Sequence, residues 1–135
     1  MPQTITPYLL YRDGAAAIDY LTRTFGFEEV MRSQSPDGGV GHAELRIGDG
    51  HVYLGEPGAE YRNPSALGGV TVLIHVYVDD VDAHFARAKE AGAEVEGEPE
   101  DRPYGDRSYR ALDPEGHHWF FAQHLRDVPV EEWSS

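Results

Sequence analysis

The sequence predicts an α+β fold in which two β-α-β-β-β modules form a concave mixed sheet within one domain. Three observations predict it. Two amphipathic stretches of helical period recur, each opened by aspartate and closed by glycine, at Asp13 to Gly26 and again at Asp79 to Gly92. Each is preceded by one extended run and followed by three. Between the two sets lies residues 56–69, the one stretch that carries Pro, Gly and Asn without periodicity.

Residues 5–12 (ITPYLLYR) read as the first strand. Asp13 caps the following helix, where Ala17, Ile18, Leu21 and Phe25 recur at helical spacing, and Gly26 ends it. Residues 27–33 are extended and amphipathic, and residues 35–39 (SPDGG) make a turn. Residues 40–47 alternate, with Ala43, Leu45 and Ile47 on one face and His42, Glu44 and Arg46 on the other. Gly48-Asp49-Gly50 is a hairpin signal, and residues 51–55 return as a strand.

The second module repeats the plan. Residues 71–78 are its first strand, and Asp79 or Asp80 caps a helix bearing Val81, Phe85 and Ala88 that Gly92 closes. A short strand over 94–98, a loop over 99–105 and an extended run over 106–112 follow. Residues 113–116 (DPEG) supply a tight turn: Asp113 bonds back to the backbone, Pro114 presets φ and Gly116 tolerates the last position. The strand after it alternates His118, Phe120, Ala122 and His124 with His117, Trp119, Phe121 and Gln123; Trp119 and Phe121 face the helices as core. The expected boundaries within the single domain 1–135 are a module over 4–56, a linker over 57–69, a module over 70–126 and a tail over 127–135. Neither module alone buries much apolar surface, so a shared core is expected, formed within one chain or by exchange between chains.

With 135 residues, 40% of them hydrophobic and 11% aromatic, the chain is sized for one folded domain. Its net charge of −13, from 24 acidic and 11 basic residues, speaks against nucleic acid and anionic membrane as partners and favours a cationic one. No apolar run is long enough to span a bilayer and the N-terminus lacks the pattern of an export signal, so a cytoplasmic protein is expected. The absence of cysteine removes disulfides, thiolate metal sites and a cysteine nucleophile. No Ser-His-Asp order, phosphate loop or HExxH motif is present.

The stretches TPYLLYRDGAAAIDYLTRTFGF, HAELRIGDG, HVYVDDVDAHFARAKEAGA and YGDRSYRALDPEGHHWFFAQH, taken in order, resemble the vicinal oxygen chelate superfamily of glyoxalase I, extradiol dioxygenases and bleomycin-resistance proteins. The chain looks closest to glyoxalase-like, bleomycin-resistance-like members whose last strand runs into a His-x-x-Asp-Val tail, here residues 124–128. The resemblance implies the glyoxalase/bleomycin-resistance fold, a concave site between the modules, and commonly a homodimer. Metal-using members place one ligand on each of four strands, and nitrogen and oxygen donors there suit nickel, zinc, iron or manganese. Carried over, those positions fall on Thr6, near Leu54 with Glu56 two residues on, on Leu73 and on Phe120. Leucine and phenylalanine offer a cation no lone pair.

Two functions of different class follow. The first is a metal-independent binding protein without cofactor, holding a small aromatic or cationic compound between the modules. Its expected ligand-binding residues are His42, Glu44, Leu54, Leu73, His75, Tyr77, Tyr104, Arg107, His118 and Phe120. The second is a lyase, isomerase or dioxygenase in which His42, Glu44 and His75 form a displaced metal site or act as metal-free acid and base. Arg107 reads as the partner of a nearby acid, or of an anionic ligand group. His51, His84 and His117 read as solvated.

Overall fold

The structure is a computed structural model, and it describes residues 2–58 and 60–133. Position 59 of the expected linker, positions 134–135 of the expected tail and position 1 lie outside the described residues. Contacts divide the chain into two compact units. The first takes the described residues up to Val70 together with Pro114–Gly116, and the second takes Thr71–Asp113 and the residues from His117 onward.

In the first unit a four-stranded sheet has the order β1-β4-β3-β2, with β1 (Tyr8–Leu10), β2 (Glu28–Gln34), β3 (Val40–Ile47) and β4 (Gly50–Gly55). β1 runs parallel to β4 and the other pairs are antiparallel. Helix α1 (Gly14–Phe25) starts where Asp13 accepts a hydrogen bond from Ala16 N at 3.0 Å and stops where Gly26 takes φ 82°. A helix this short is marginal alone. Its buried stripe, Ala17, Ile18, Leu21 and Phe25, is matched by buried Leu9, Ala43, Leu45, Val52 and Leu54 on the sheet. Burying one Leu or Phe side chain contributes about 1.5–3 kcal/mol, more than the ~0.7 kcal/mol that separates ordinary residues in helix propensity, so packing decides.

The second unit repeats the sheet as β5-β8-β7-β6, with β5 (Ile74–Tyr77), β6 (Glu94–Asp101), β7 (Asp106–Leu112) and β8 (His118–His124), and β5 parallel to β8. Of the two aspartates before the helix, Asp80 is the cap, accepting from Ala83 N at 3.1 Å. α3 (Val81–Glu90) ends in paired bonds from Gly92 N to Lys89 O and Ala93 N to Ala88 O, with Gly92 at φ 91°. The architecture is the α+β arrangement of two four-stranded mixed sheets that the sequence predicts.

Four local expectations are corrected. β1 covers three residues, because Pro7 has no N–H for the ladder, although its carbonyl accepts from Tyr53 N at 2.9 Å. β5 begins only at Ile74, opposite Trp119. β6 runs through Pro99 to Asp101, because its register skips from Glu96 to Glu100 and the proline sits where no ladder bond is required. Within the expected linker lies α2 (Pro64–Leu67), capped by Asn63 and closed by Gly68 at φ 86°. One helical turn is too short to show periodicity, so only its Asn-Pro start and Gly stop were there to be read.

The second unit's core holds Trp119, Phe121, Tyr109, Val81 and Ala88, all buried. Asp113, itself buried, accepts from Trp119 Nε1 and from His117 N, each at 3.1 Å. Gly105 takes φ 103°, and a Cβ there would strike the carbonyl of Arg126, while its own carbonyl accepts from Leu125 N and Arg126 N. That close approach holds the start of the tail against β7. Among the described residues, no helix is long and apolar enough to cross a membrane.

Candidate ligand-binding site

Cross-strand partners share a face of the sheet. The pairing of Tyr8 with Tyr53 and of Tyr53 with Glu44 puts Tyr8, Tyr53, His42, Glu44 and His51 on the side away from α1's buried stripe. Tyr8 Oη lies 3.0 Å from His42 Nδ1. The His42 ring stands 4.9 Å from Tyr53 and 5.4 Å from Tyr8, which meets Tyr53 edge-on at 6.0 Å. Burial pushes the Tyr8 phenol up, so it is neutral at physiological pH and able to donate to Nδ1. Gly55 is required beneath this cluster, because a Cβ would come within 2.7 Å of Gly41 O and 2.8 Å of Tyr8 Oη. Beside it Glu44 Oε2 lies 2.7 Å from His51 Nδ1, a shielded atom that lacks a properly aligned hydrogen bond.

Two cavities adjoin this face, and every residue that lines them belongs to the first unit. One, of about 440 Å³, is bounded by Tyr8, Leu10, Gly55, Pro57 and Tyr61. The other, of about 470 Å³, is bounded by Tyr11, Arg12, Asp37, Arg62 and Asn63. Glu56, Pro57, Gly58 and Tyr61 line both, so the two are neighbours with a common wall. Glu56 is anchored at the start of α1, accepting from Gly14 N at 2.8 Å and Val40 N at 3.1 Å. Glu115, from the DPEG turn, accepts from Arg12 N, from Asp13 N at 2.9 Å and from Asn63 Nδ2.

The sequence model of the Glyoxalase/Bleomycin resistance protein/Dioxygenase superfamily matches residues 4–121. The chain belongs to that superfamily. An uncharacterised protein of Mycobacterium bovis is 41% identical over 133 residues, covering 95% of this chain and 88% of the relative. TioX from Micromonospora sp. ML1 is 38% identical with a TM-score of 0.75, covering 92% of this chain and 100% of TioX. A superfamily structure from Nocardioides, at 20% identity and TM-score 0.67, covers 96% of this chain and 89% of its own and speaks for the fold alone.

The residues present do not fit the metal centre of glyoxalase-type enzymes. Leu54 is buried in the core, Thr6 precedes β1, and Leu73 and Phe120 have no lone pair to give. Among the described residues, no group of three or more His, Asp or Glu side chains could hold a metal ion. His42 and Glu44 are in the first unit and His75 is in the second.

Leu54 is a correction as a ligand-binding residue. It pairs with Leu9 in register across β1 and β4 and with Ala43 across β3, all of them buried on the α1 side. Its neighbour Tyr53 takes the open face. The histidines read as solvated are corrected too. His51 meets Glu44, His84 lies 4.2 Å from the Phe121 ring with Nδ1 2.7 Å from Tyr109 Oη, and His117 is half-buried. The other expected site residues lie in the second unit. Leu73 is exposed ahead of β5, and His75 and Tyr77 are exposed along it with rings 4.9 Å apart. Phe120 pairs with His75 and with Arg110, whose guanidinium lies 5.9 Å from the Phe120 ring, and His118 is half-buried at the start of β8. Tyr104 packs against Trp133 at 5.6 Å. Arg107 is held by Asp82 and Asp101, each at 3.0 Å.

Sequence reasoning missed Tyr8, Tyr53, Tyr61, Arg12 and Arg62. The signal for the first two was present: Leu9 alternates with Tyr8, and Val52 and Leu54 alternate with Tyr53. It also missed a chain of acid and base groups in the second unit. Buried Asp106 accepts from Tyr77 Oη and faces His124 Nδ1, each at 2.8 Å, and exposed Asp127 lies 2.7 Å from His124 Nε2. The Asp106 and then the Asp127 carboxylates raise the His124 imidazole above its ordinary range. A raised folded-state value means that His124 stabilises the fold fully below about pH 6.5, its ordinary titration point, and that this contribution is lost as pH rises through the folded value. His124→Gln is therefore expected to lower the melting temperature most near pH 5 and progressively less as pH rises through the folded-state value. Thermal melts of both proteins across that range check it; a difference that grows with pH contradicts it.

Proposed function

We propose that the protein is a metal-independent binding protein for a small aromatic compound, seated on the open face of the first sheet. The observation that carries the reading is the cluster of Tyr8, His42 and Tyr53, rings 4.9–6.0 Å apart, bordering a cavity of about 440 Å³ that Tyr8, Leu10, Pro57 and Tyr61 line. A concave apolar site with few polar groups suits such a ligand, and aromatic pairs contribute about 0.5–1.5 kcal/mol beyond the area they bury. Of the two ligand classes the sequence suggests, aromatic and cationic, the site supports the aromatic. A homodimer in the cytoplasm is part of the proposal, checked by sedimentation and cell fractionation.

Thermal shift against a panel of planar aromatic compounds tests it. A ligand at a hundredfold excess over Kd adds about 2.7 kcal/mol, a shift of several degrees. Tyr53→Ala is expected to weaken binding by ~tenfold, the loss of one well-packed aromatic contact. A folded protein that no compound stabilises overturns the reading. Acid–base catalysis is a second reading, favoured by the 2.7 Å contact of Glu44 with His51. It requires turnover that chelators leave intact and Glu44→Gln removes.

A further inference from the structure

We infer that the ligand carries an anionic group, a carboxylate, sulfonate or phosphate, on its aromatic body, and that Arg12 and Arg62 take this charge. The inference rests on the aromatic site proposed above and names the class of compound that fills it.

Adjacency is the first argument. The apolar cavity beside Tyr8 and the polar cavity beside Arg12 share Glu56, Pro57, Gly58 and Tyr61. A ligand whose ring lies against Tyr8 and Tyr61 has the second cavity next to it, on the other side of residues it already touches.

Charge is the second. In a chain with 24 acidic and 11 basic residues, Arg23, Arg32, Arg46, Arg102, Arg107 and Arg110 each have a carboxylate partner. Arg12 and Arg62 line one cavity, and neither guanidinium has a carboxylate partner among the described residues. Of the acids in the same wall, Asp37 accepts from Ser35 Oγ and from Gly39 N at 3.1 Å. Glu56 accepts from Gly14 N and Val40 N, the first of them at the positive end of α1. Both carboxylates are thus compensated by donors, and the two guanidiniums are the uncommitted charges. Each presents a planar fork of donors that matches a carboxylate or phosphate in two-point contact.

Preorganisation is the third. Arg12 N and the side chain of Asn63, next to Arg62, bind the same carboxylate, that of Glu115. Asn63 Oδ1 also accepts from Ala66 N at 3.0 Å, which fixes the start of α2. One carboxylate therefore holds the backbone at Arg12 and the side chain next to Arg62, and segments already ordered lose less freedom when a ligand arrives.

Calorimetry with 2-naphthoate, 2-naphthamide and 2-naphthylmethylammonium, which share one ring system and differ in charge, tests the inference. 2-Naphthoate is expected to bind at least ~tenfold tighter than the amide, as charge-assisted pairing with arginine requires. In the Arg12→Gln/Arg62→Gln variant, checked for an unchanged circular dichroism spectrum, that ratio is expected to fall to near one. Equal affinities for anion and amide in the natural protein, a ratio that survives in the double variant, or tightest binding of the ammonium compound overturns the inference and leaves the aromatic site standing. Binding of none of the three overturns both.

Discussion

Trp119→Ala is expected to remove about 3–5 kcal/mol of stability, the usual cost of deleting a fully buried aromatic side chain. Trp119 is completely buried, stacks on Phe121 with ring centroids 6.2 Å apart, and sits in β8 between Ile74 and Ala111 in register. Its Nε1–H donates to the buried Asp113 carboxylate, as His117 N does, so the substitution also strips a partner from a buried charge. Domains of this size are stable by only about 5–15 kcal/mol, so the variant should lose a large share of its total stability. Trp119→Phe keeps the stacking and loses the donor, and should cost about 1–3 kcal/mol. Urea unfolding separates the two variants. An alanine variant within about 1 kcal/mol of the natural protein would contradict the placement of Trp119 at the centre of that core.

The second large effect is expected at Glu115. Its carboxylate gathers Arg12 N, Asp13 N and Asn63 Nδ2, and its carbonyl accepts from Ser65 N and Ser65 Oγ. Hydrogen bonds to a charged group contribute about 1.5–3 kcal/mol each, but two of these donors lie where water can replace the carboxylate, so Glu115→Ala should cost about 2–3 kcal/mol in all. Asn63 is buried and suffers most. Glu115→Gln should not restore the loss, because its amide nitrogen is a donor facing donors. A functional consequence accompanies the stability change: Arg12 and Asn63 lose their common anchor, and the affinity for 2-naphthoate should fall ~tenfold with that order. Retention of full affinity in a folded Glu115→Ala protein would contradict the common anchor.

Much of the fold was legible because its signals are local. Asp13 and Gly26 mark α1 to the residue, and DPEG marks the β7–β8 turn, since capping and turn formation depend on side chains a few positions apart. The site was less legible because facing depends on register. HVYLG offers two faces, one of Val52 and Leu54 and one of His51 and Tyr53, and only the pairing with β1 and β3 shows that Val52 and Leu54 go inward. Arg12 and Arg62 are far apart in sequence, and nothing local says that one glutamate at position 115 holds the chain beside both. The interior of β6 was misread for a similar reason. A proline forbids a ladder bond only where a partner is in register, and the register skips it.

A titration of the isotope-labelled protein with 2-naphthoate, followed residue by residue by amide NMR, tests the account most directly. It predicts saturable shifts at Tyr8, His42, Tyr53 and Tyr61, extending to Arg12 and Arg62. The absence of saturable shifts, or shifts confined to the second unit, would contradict it.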